Sequence, residues 1–160
     1  MIIGNQNAIT YKEIFKLIKE NKIWLGVSMN GSNRWMDVPE HYEFSPKAKH
    51  KIDENGMRYI FVNSVVWFTN LEHSKRNEEI ILYKKYNPEE YPKYDNYDAI
   101  DTLVADIPVD YDGVIGVPIS FMHKYNPEQF EIIKFRKGDD DKDLSINGKH
   151  PYFRILVKRR

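Results

Sequence analysis

Three patterns of apolar and polar positions occur along the first seventy residues. Met1-Ile-Ile-Gly4 is apolar with no polar face, as in a short strand covered on both sides in a parallel sheet. A buried strand with nothing before it to pair with predicts a domain entered partway through. Thr10-Tyr-Lys-Glu13 has the spacing of a capping box. Tyr11, Ile14, Phe15 and Ile18 then recur at helical spacing, with Leu17 beside them, which predicts a helix ending near Asn21. Ile23 to Val27 is the next strand, so the start of the chain reads as a small βαβ crossover. Residues 28–56, rich in Asn, Ser, Gly, Pro, Lys and His, predict a long loop. The stretch from Tyr59 to Phe68 is β-branched, aromatic and nearly apolar on both faces, the strongest strand signal in the chain. A shorter strand is expected at Ile80–Lys84.

The second half is less regular. "KYNPEEY" at Lys85–Tyr91 returns as "KYNPEQF" at Lys124–Phe130, and each reads as a helix start with Asn as N-cap, Pro at the first helical position and acids in the first turn. Gly113–Gly116 reads as a turn, and "GVPISF" at Gly116–Phe121 as an edge strand or turn. Ile146-Asn-Gly-Lys149 carries a two-residue hairpin signal, with a strand at Tyr152–Lys158 after it. The acidic run Asp139–Asp143 and the basic tail Lys158-Arg159-Arg160 read as solvated.

Composition narrows the chemistry. The 160 residues suit one core, and the 24 basic and 24 acidic side chains cancel, so any attraction to nucleic acid must be local. The absence of cysteine excludes disulfides and thiolate chemistry and fits a cytoplasmic setting. No apolar run approaches a membrane span, and no signal peptide is legible. The histidines are scattered without ligand spacing, so no metal site is expected. No acyl-transfer pattern or phosphate loop is present.

The stretches "IIGNQNAITYKEIFKLIKENKIWLG", "VVWFTNLEHSKR", "KKYNPEEYPKYDNYDAID", "DYDGVIGVPISFMHKYNPEQFEI" and "INGKHPYFRILVKRR" resemble, in order, the EcoRI-type adenine-specific DNA methyltransferases. The resemblance implies an α/β fold: a partial Rossmann-like sheet, with Ile2–Gly4, Ile23–Val27 and Tyr59–Phe68 as its fifth, sixth and seventh strands, followed by an α+β recognition segment. Residues 1–84 would be the C-terminal part of the methyltransferase core and 85–160 the target-recognition segment. The implied activity is transfer of a methyl group from S-adenosylmethionine to adenine N6 in duplex DNA. The family's glycine-rich cofactor loop and its Asn/Asp-Pro-Pro-aromatic motif, which holds the flipped adenine, are not among these residues; Asn87-Pro88-Glu89 and Asn126-Pro127-Glu128 share only two letters with that motif. The chain alone is therefore expected to bind no cofactor and to be inactive. Its expected partners are duplex DNA, a methyltransferase half carrying the missing motifs, and a second copy of itself through the N-terminal edge. The alternative is a non-catalytic DNA-recognition fragment or the remnant of a split gene.

Two sets of site residues stand out. Asn5 and Asn7 come just after the first strand, and Trp35 lies in the segment after the second, at the strand ends where open α/β sheets bind ligands, so they are candidates for the target-base pocket. Residues 83–97 hold Tyr83, Tyr86, Tyr91, Tyr94 and Tyr97 among Lys84, Lys85 and Lys93. Tyr86, Tyr91, Tyr94 and Tyr97 would face DNA while the lysines reach phosphates. The same rings could instead pack onto their own domain through their bodies and hydroxyls.

Overall fold

The computed structural model describes residues 2–27 and 32–160. Among them run β1 (Ile2–Asn5), α1 (Lys12–Lys19), β2 (Trp24–Leu25), β3 (Ser32–Val38), β4 (His50–Ile52), β5 (Arg58–Thr69), β6 (Ala99–Asp101), β7 (Val114–Pro118), β8 (Phe130–Phe135) and β9 (Arg154–Arg159). Short 3-10 turns fill several connections, including Gln6–Thr10 and Ile119–His123. No helix among the described residues is long and apolar enough to cross a membrane.

β5 organises the first sheet. Its C-terminal half lies between β1 and β2, both antiparallel to it, so β1 and β2 run parallel to each other with one strand between them. Val65 is opposite both Asn5 and Ser32, which puts β3 on the β2 side of β5 and leaves β4 on the β1 side. A bulge divides β5. Ser64 takes a left-handed φ of 50°, its N–H is met by Asn33 Oδ1 at 3.2 Å, and the register against β3 shifts there. Val65, Val66 and Phe68 beyond the bulge are buried, whereas Arg58–Val62 before it are only partly covered.

The long loop expected over residues 28–56 is thus largely sheet: β3 and β4 flank the outer half of β5. Its residues 28–31, Asn30 among them, lie outside the described set. β1 differs as well. Among the described residues it pairs on one side only, and Ile2 and Ile3 are 53% and 48% exposed.

The capping box does not form. Thr10 closes the 3-10 turn, its hydroxyl donates to the Asn7 carbonyl at 2.7 Å, and α1 starts after Tyr11 without a side-chain cap. Phe15 and Ile18 are buried on the predicted stripe, while Tyr11 is exposed. Phe15 meets Phe135 of β8 with ring centroids 4.9 Å apart, which joins the helix to the second sheet.

That sheet has the order β6-β7-β9-β8, with β6 and β7 parallel and the other pairs antiparallel. β7 is therefore an interior strand, where the sequence suggested an edge or a turn. Its Gly116 lies under the Tyr94 ring, where a Cβ would come within 1.9 Å of the hydroxyl oxygen. The two "KYNPE" segments make turns instead of helices. Asn87 and Asn126 each accept from the backbone N–H two residues on, at 3.2 and 2.9 Å. After the first, Tyr91 precedes a proline, which disfavours helical backbone; after the second, Phe130 is taken into β8. Ile80–Lys84 forms no strand pair beyond a bridge from Lys84 to Pro108. The Gln129 side chain satisfies the backbone there, accepting from Ile80 N–H and donating to its carbonyl, both at 2.8 Å.

Ile146–Lys149 does make the predicted tight turn, with Asn147 and Gly148 at φ of 50° and 74°. The tail is held: Arg160 Nε donates to the Pro127 carbonyl at 2.9 Å, and Arg159 donates to that of Val109. One hydrophobic cluster joins Ile9, Ile18 and Phe68 of the first part to Ile115, Phe121 and Ile155 of the second.

Candidate nucleic-acid interface

The tyrosine-rich stretch folds onto its own domain. Tyr91 and Tyr94 are 4% and 6% exposed. The Tyr91 hydroxyl donates to the Asp106 carbonyl at 2.8 Å, and the Tyr94 hydroxyl donates to the Asp101 carboxylate. Burial, followed by the Asp101 contact, pushes the Tyr94 phenol far above its ordinary range, so it stays a neutral donor. Tyr86 packs against Tyr91 and Tyr111, with centroids 5.7 and 4.6 Å away. Tyr97 lies under the Lys134 ammonium, 5.0 Å from its centroid. Tyr83, at 69% exposure, keeps its ring open to solvent.

Neighbouring contacts fix the stretch. The Asp95 carboxylate accepts from Ser145 Oγ and from the N–H groups of Asn147 and Gly148 at 2.9, 3.0 and 2.9 Å, which docks the tight turn onto it. Those bonds, Gly148 N–H first, hold its carboxyl below the usual range. Lys84 pairs with Asp106 at 3.1 Å, and that hydrogen bond raises its pKa. Lys85 and Lys93 are exposed. Tyr91 and Tyr94 are thus buried in packing, Tyr86 and Tyr97 are half-buried, and Tyr83, Lys85 and Lys93 are exposed.

Asn5 and Asn7 lie on one flank of β5, at the end of β1, and Trp35 on the other, in β3. Asn5 caps the following 3-10 turn: its Oδ1 accepts from Asn7 N–H at 2.8 Å, and its Nδ2 donates to the Asn63 carbonyl at 2.7 Å. Asn7 Oδ1 accepts from the Tyr152 hydroxyl at 3.3 Å. Both sit where β1 ends. Trp35 pairs with Phe61, four positions along β5 from the Val65 that faces Asn5 and on the other flank. Four strand residues span about 13 Å.

Trp35 belongs to an arm that the sequence did not reveal. β3, β4 and the outer half of β5 project from the end of the sheet at which β1 and β2 terminate, over about 20 Å for six strand residues. One face of the arm is closed by the 39–48 segment: Arg58 donates to the carbonyls of Glu40 and Tyr42, both at 3.0 Å, its guanidinium lies 4.7 Å from the Phe44 ring, and Phe44 stacks on His50. The opposite face carries Trp35, Tyr59 and Phe61. Trp35 and Phe61 have centroids 5.1 Å apart. The Lys49 ammonium is 4.6 Å from the Phe61 ring and that of Lys51 is 4.7 Å from the Trp35 ring. Neither lysine has a carboxylate within ion-pairing distance among the described residues. The available signal was Lys49-His-Lys-Ile52, which alternates at strand period.

A further cleft of about 430 Å³ lies between the Lys75–Tyr83 segment and His123. Glu78 and Glu79 on its wall oppose a phosphate, and none of the candidate pocket residues reaches it. Burial lowers the His123 pKa. No cluster of three or more His, Asp or Glu side chains able to hold a metal ion occurs among the described residues.

The sequence model of the family described as adenine-specific methyltransferase EcoRI matches residues 1–160. The Type II methyltransferase M.EcoRI of Escherichia coli is 58% identical over 163 residues, which cover all of this chain and 50% of that protein. Type II methyltransferases M.MgeORF184P of Mycoplasma genitalium and M.MpnI of Mycoplasma pneumoniae are each 30% identical, over all of this chain and 56% of their own lengths. The chain thus spans about half the length of the curated relatives it matches. No solved structure matches significantly.

Proposed function

The chain belongs to the adenine-specific methyltransferase EcoRI family, and we propose that it supplies the C-terminal, DNA-contacting part of a site-specific enzyme that methylates adenine N6 in duplex DNA. The observation that carries this reading is the match itself: all 160 residues align, and they account for half of a Type II methyltransferase. In this reading β1, β2 and β5 are the fifth, sixth and seventh strands of a Rossmann-like sheet. The parallel relation of β1 and β2 across α1 supports that assignment. Residues 1–84 carry this part of the core and 85–160 the recognition segment.

Asn5 and Asn7, at the carboxyl end of β1, border the target-base pocket, in line with the general location of ligands in open α/β sheets. S-adenosylmethionine is bound by a methyltransferase half bearing the glycine-rich loop and the Asn/Asp-Pro-Pro-aromatic motif. That half docks along β1, whose free edge and half-exposed Ile2 and Ile3 form a strand-pairing surface. Lys84, Lys85 and Lys93 add phosphate contacts from the tyrosine-rich surface.

The test is a methyl-transfer assay with labelled S-adenosylmethionine and unmethylated duplex DNA. The chain alone should give no N6-methyladenine. Addition of the N-terminal half of M.EcoRI should give activity, and Ile3→Pro, which removes an edge donor, should weaken it. Methylation by the chain alone would overturn the division of labour. DNA binding without methylation in either mixture would favour a non-catalytic recognition fragment. Self-pairing through β1 would appear as a dimer in light scattering that Ile3→Pro dissolves.

A further inference from the structure

We propose that the arm of β3, β4 and outer β5 is a DNA clamp, whose Lys49–Lys51 edge grips phosphates of the duplex while Trp35, Tyr59 and Phe61 form the platform behind them. The proposal rests on the reading of the chain as part of a DNA-modifying enzyme, and adds a contact surface outside the tyrosine-rich stretch.

Charge is the first argument. The chain as a whole is neutral, yet the open face of the arm holds two ammonium groups side by side, neither in an ion pair among the described residues, with Asp37 opposite Tyr59 as the acid of β3 on that face. Asp53, the acid nearest in sequence, spends its hydrogen bonds on its own turn: one carboxylate oxygen accepts from the N–H groups of Asn55 and Met57, each at 2.9 Å, and the other from the Tyr59 hydroxyl at 3.1 Å, so it offsets the Lys51 charge in part and at longer range. The aromatic rings under the lysines hold them in place through their negative faces without cancelling their charge. Such a pair attracts a polyanion.

Spacing is the second argument. Lys49 and Lys51 are two residues apart on one edge and point to the same face. That is about 6.6 Å along a strand, a spacing that suits neighbouring phosphates on one DNA strand, whose separation exceeds the axial rise of about 3.4 Å per step because the backbone winds around the axis. Placement is the third. The opposite face of the arm is closed by Tyr42, Phe44 and Arg58, so the Lys49–Lys51 face is the one left open. The arm also leaves the sheet at the end where β1 and β2 terminate, the end on which a bound target would lie. A duplex reaching Asn5 therefore runs past the arm.

The experiment is fluorescence anisotropy of the full 160-residue chain with a labelled duplex, at 50 and 200 mM salt. Each phosphate contact contributes about 0.9 to the slope of log affinity against log salt. K49A/K51A should lower that slope by about 1.8, so that the wild-type affinity falls roughly twelvefold more than the variant's over this fourfold change. K49R/K51R, which keeps the charges, should restore the wild-type slope. Binding by the wild type with an unchanged slope in K49A/K51A would overturn the clamp and leave the DNA reading standing. No duplex binding by the wild type even at 50 mM salt would overturn both.

Discussion

In the sheet of β6 to β9, Ile115 and Val117 of β7 and Ile155, Leu156 and Val157 of β9 have no exposed surface. In the sheet built on β5, Ile2 and Ile3 of β1 are half exposed, β4 has no buried residue, and β5 itself is buried only past its bulge. Both sheets draw on the same β-branched and aromatic side chains. The difference lies in the elements that cover them. The second sheet is closed by the 3-10 turn at Ile119–His123, by α1 against β8, and by the tyrosine-rich stretch. The first sheet has one covered half and one projecting half. Apolar content therefore does not tell a covered sheet from a half-open one; the count of covering elements does.

The largest expected effect separates the two sheets directly. Ile155→Ala removes a fully buried side chain of the interior strand β9 and should cost about 2–5 kcal/mol. Ile3→Ala removes a half-exposed side chain on a free edge and should cost less than about 1 kcal/mol. Urea unfolding of the two variants measures both. Equal losses would mean that β1 is as much a part of the folding core as β9.

A pair of strand glycines sharpens the contrast. A Cβ on Gly116 would fall 1.9 Å from the Tyr94 hydroxyl oxygen and 2.6 Å from Cζ. Neither side yields readily: β7 is paired on both flanks, and Tyr94 is buried and bonded to Asp101. Gly116→Ala should cost about 3 kcal/mol, the upper part of the range for overpacking. On Gly4 a Cβ would meet Phe68 at 3.4 Å, an ordinary contact. Gly4→Ala should therefore stay within about 0.5 kcal/mol. Thermal unfolding of both variants provides the check, and a tolerated Gly116→Ala would show that the tyrosine-rich stretch is looser than its contacts imply.

The same contrast explains which elements could be read from the sequence. Strand, helix and strand at the start were legible because Phe15 and Ile18 repeat at helical spacing and Trp24 and Leu25 are apolar together. The asparagine–glycine turn was legible because left-handed backbone is required at both central residues. The arm was not. β3 and β4 contain Asn33, Arg34, Asp37, His50 and Lys51, since only one edge or face of each is covered, and polar strands resemble loops in composition. The "KYNPE" segments carried true turn chemistry at Asn87 and Asn126, but the residues beyond an N-cap decide whether a helix grows, and here tertiary pairing captured Phe130. For the candidate site, Asn5 and Asn7 were placed at the end of β1 as expected, whereas Trp35 belongs to the arm because the bulge at Ser64 lies between it and Asn5. The inward hydrogen bonds of the Tyr91 and Tyr94 hydroxyls have no signature in sequence.

The smallest expected effect uses acid. Asp143 accepts from Arg136 Nε at 2.7 Å and Nη2 at 3.1 Å, and Lys137 Nζ lies 2.8 Å from it. These bonds, Arg136 first, lower its pKa from 3.8 to about 2. The folded-state value lies below the unfolded one, so its contribution is fully present above about pH 4 and fades as pH falls through about 2. Because the pair is partly exposed, solvent screens it and the effect is small. Asp53 at the tip of the arm is also lowered, first by the Met57 N–H. It differs in what it holds: Asp143 fastens the segment after β8 to a closed core, and Asp53 fastens the turn of a projecting arm, whose fewer covering elements should let it open on its own. Urea unfolding at pH 5 and pH 2.5 should show wild-type stability falling more than that of Asp143→Asn. Asp53→Asn should leave this global difference unchanged and raise amide hydrogen exchange only over residues 50–60. If Asp53→Asn instead removes as much of the acid sensitivity as Asp143→Asn, the arm unfolds together with the core, and the two sheets form one cooperative unit despite their unequal cover.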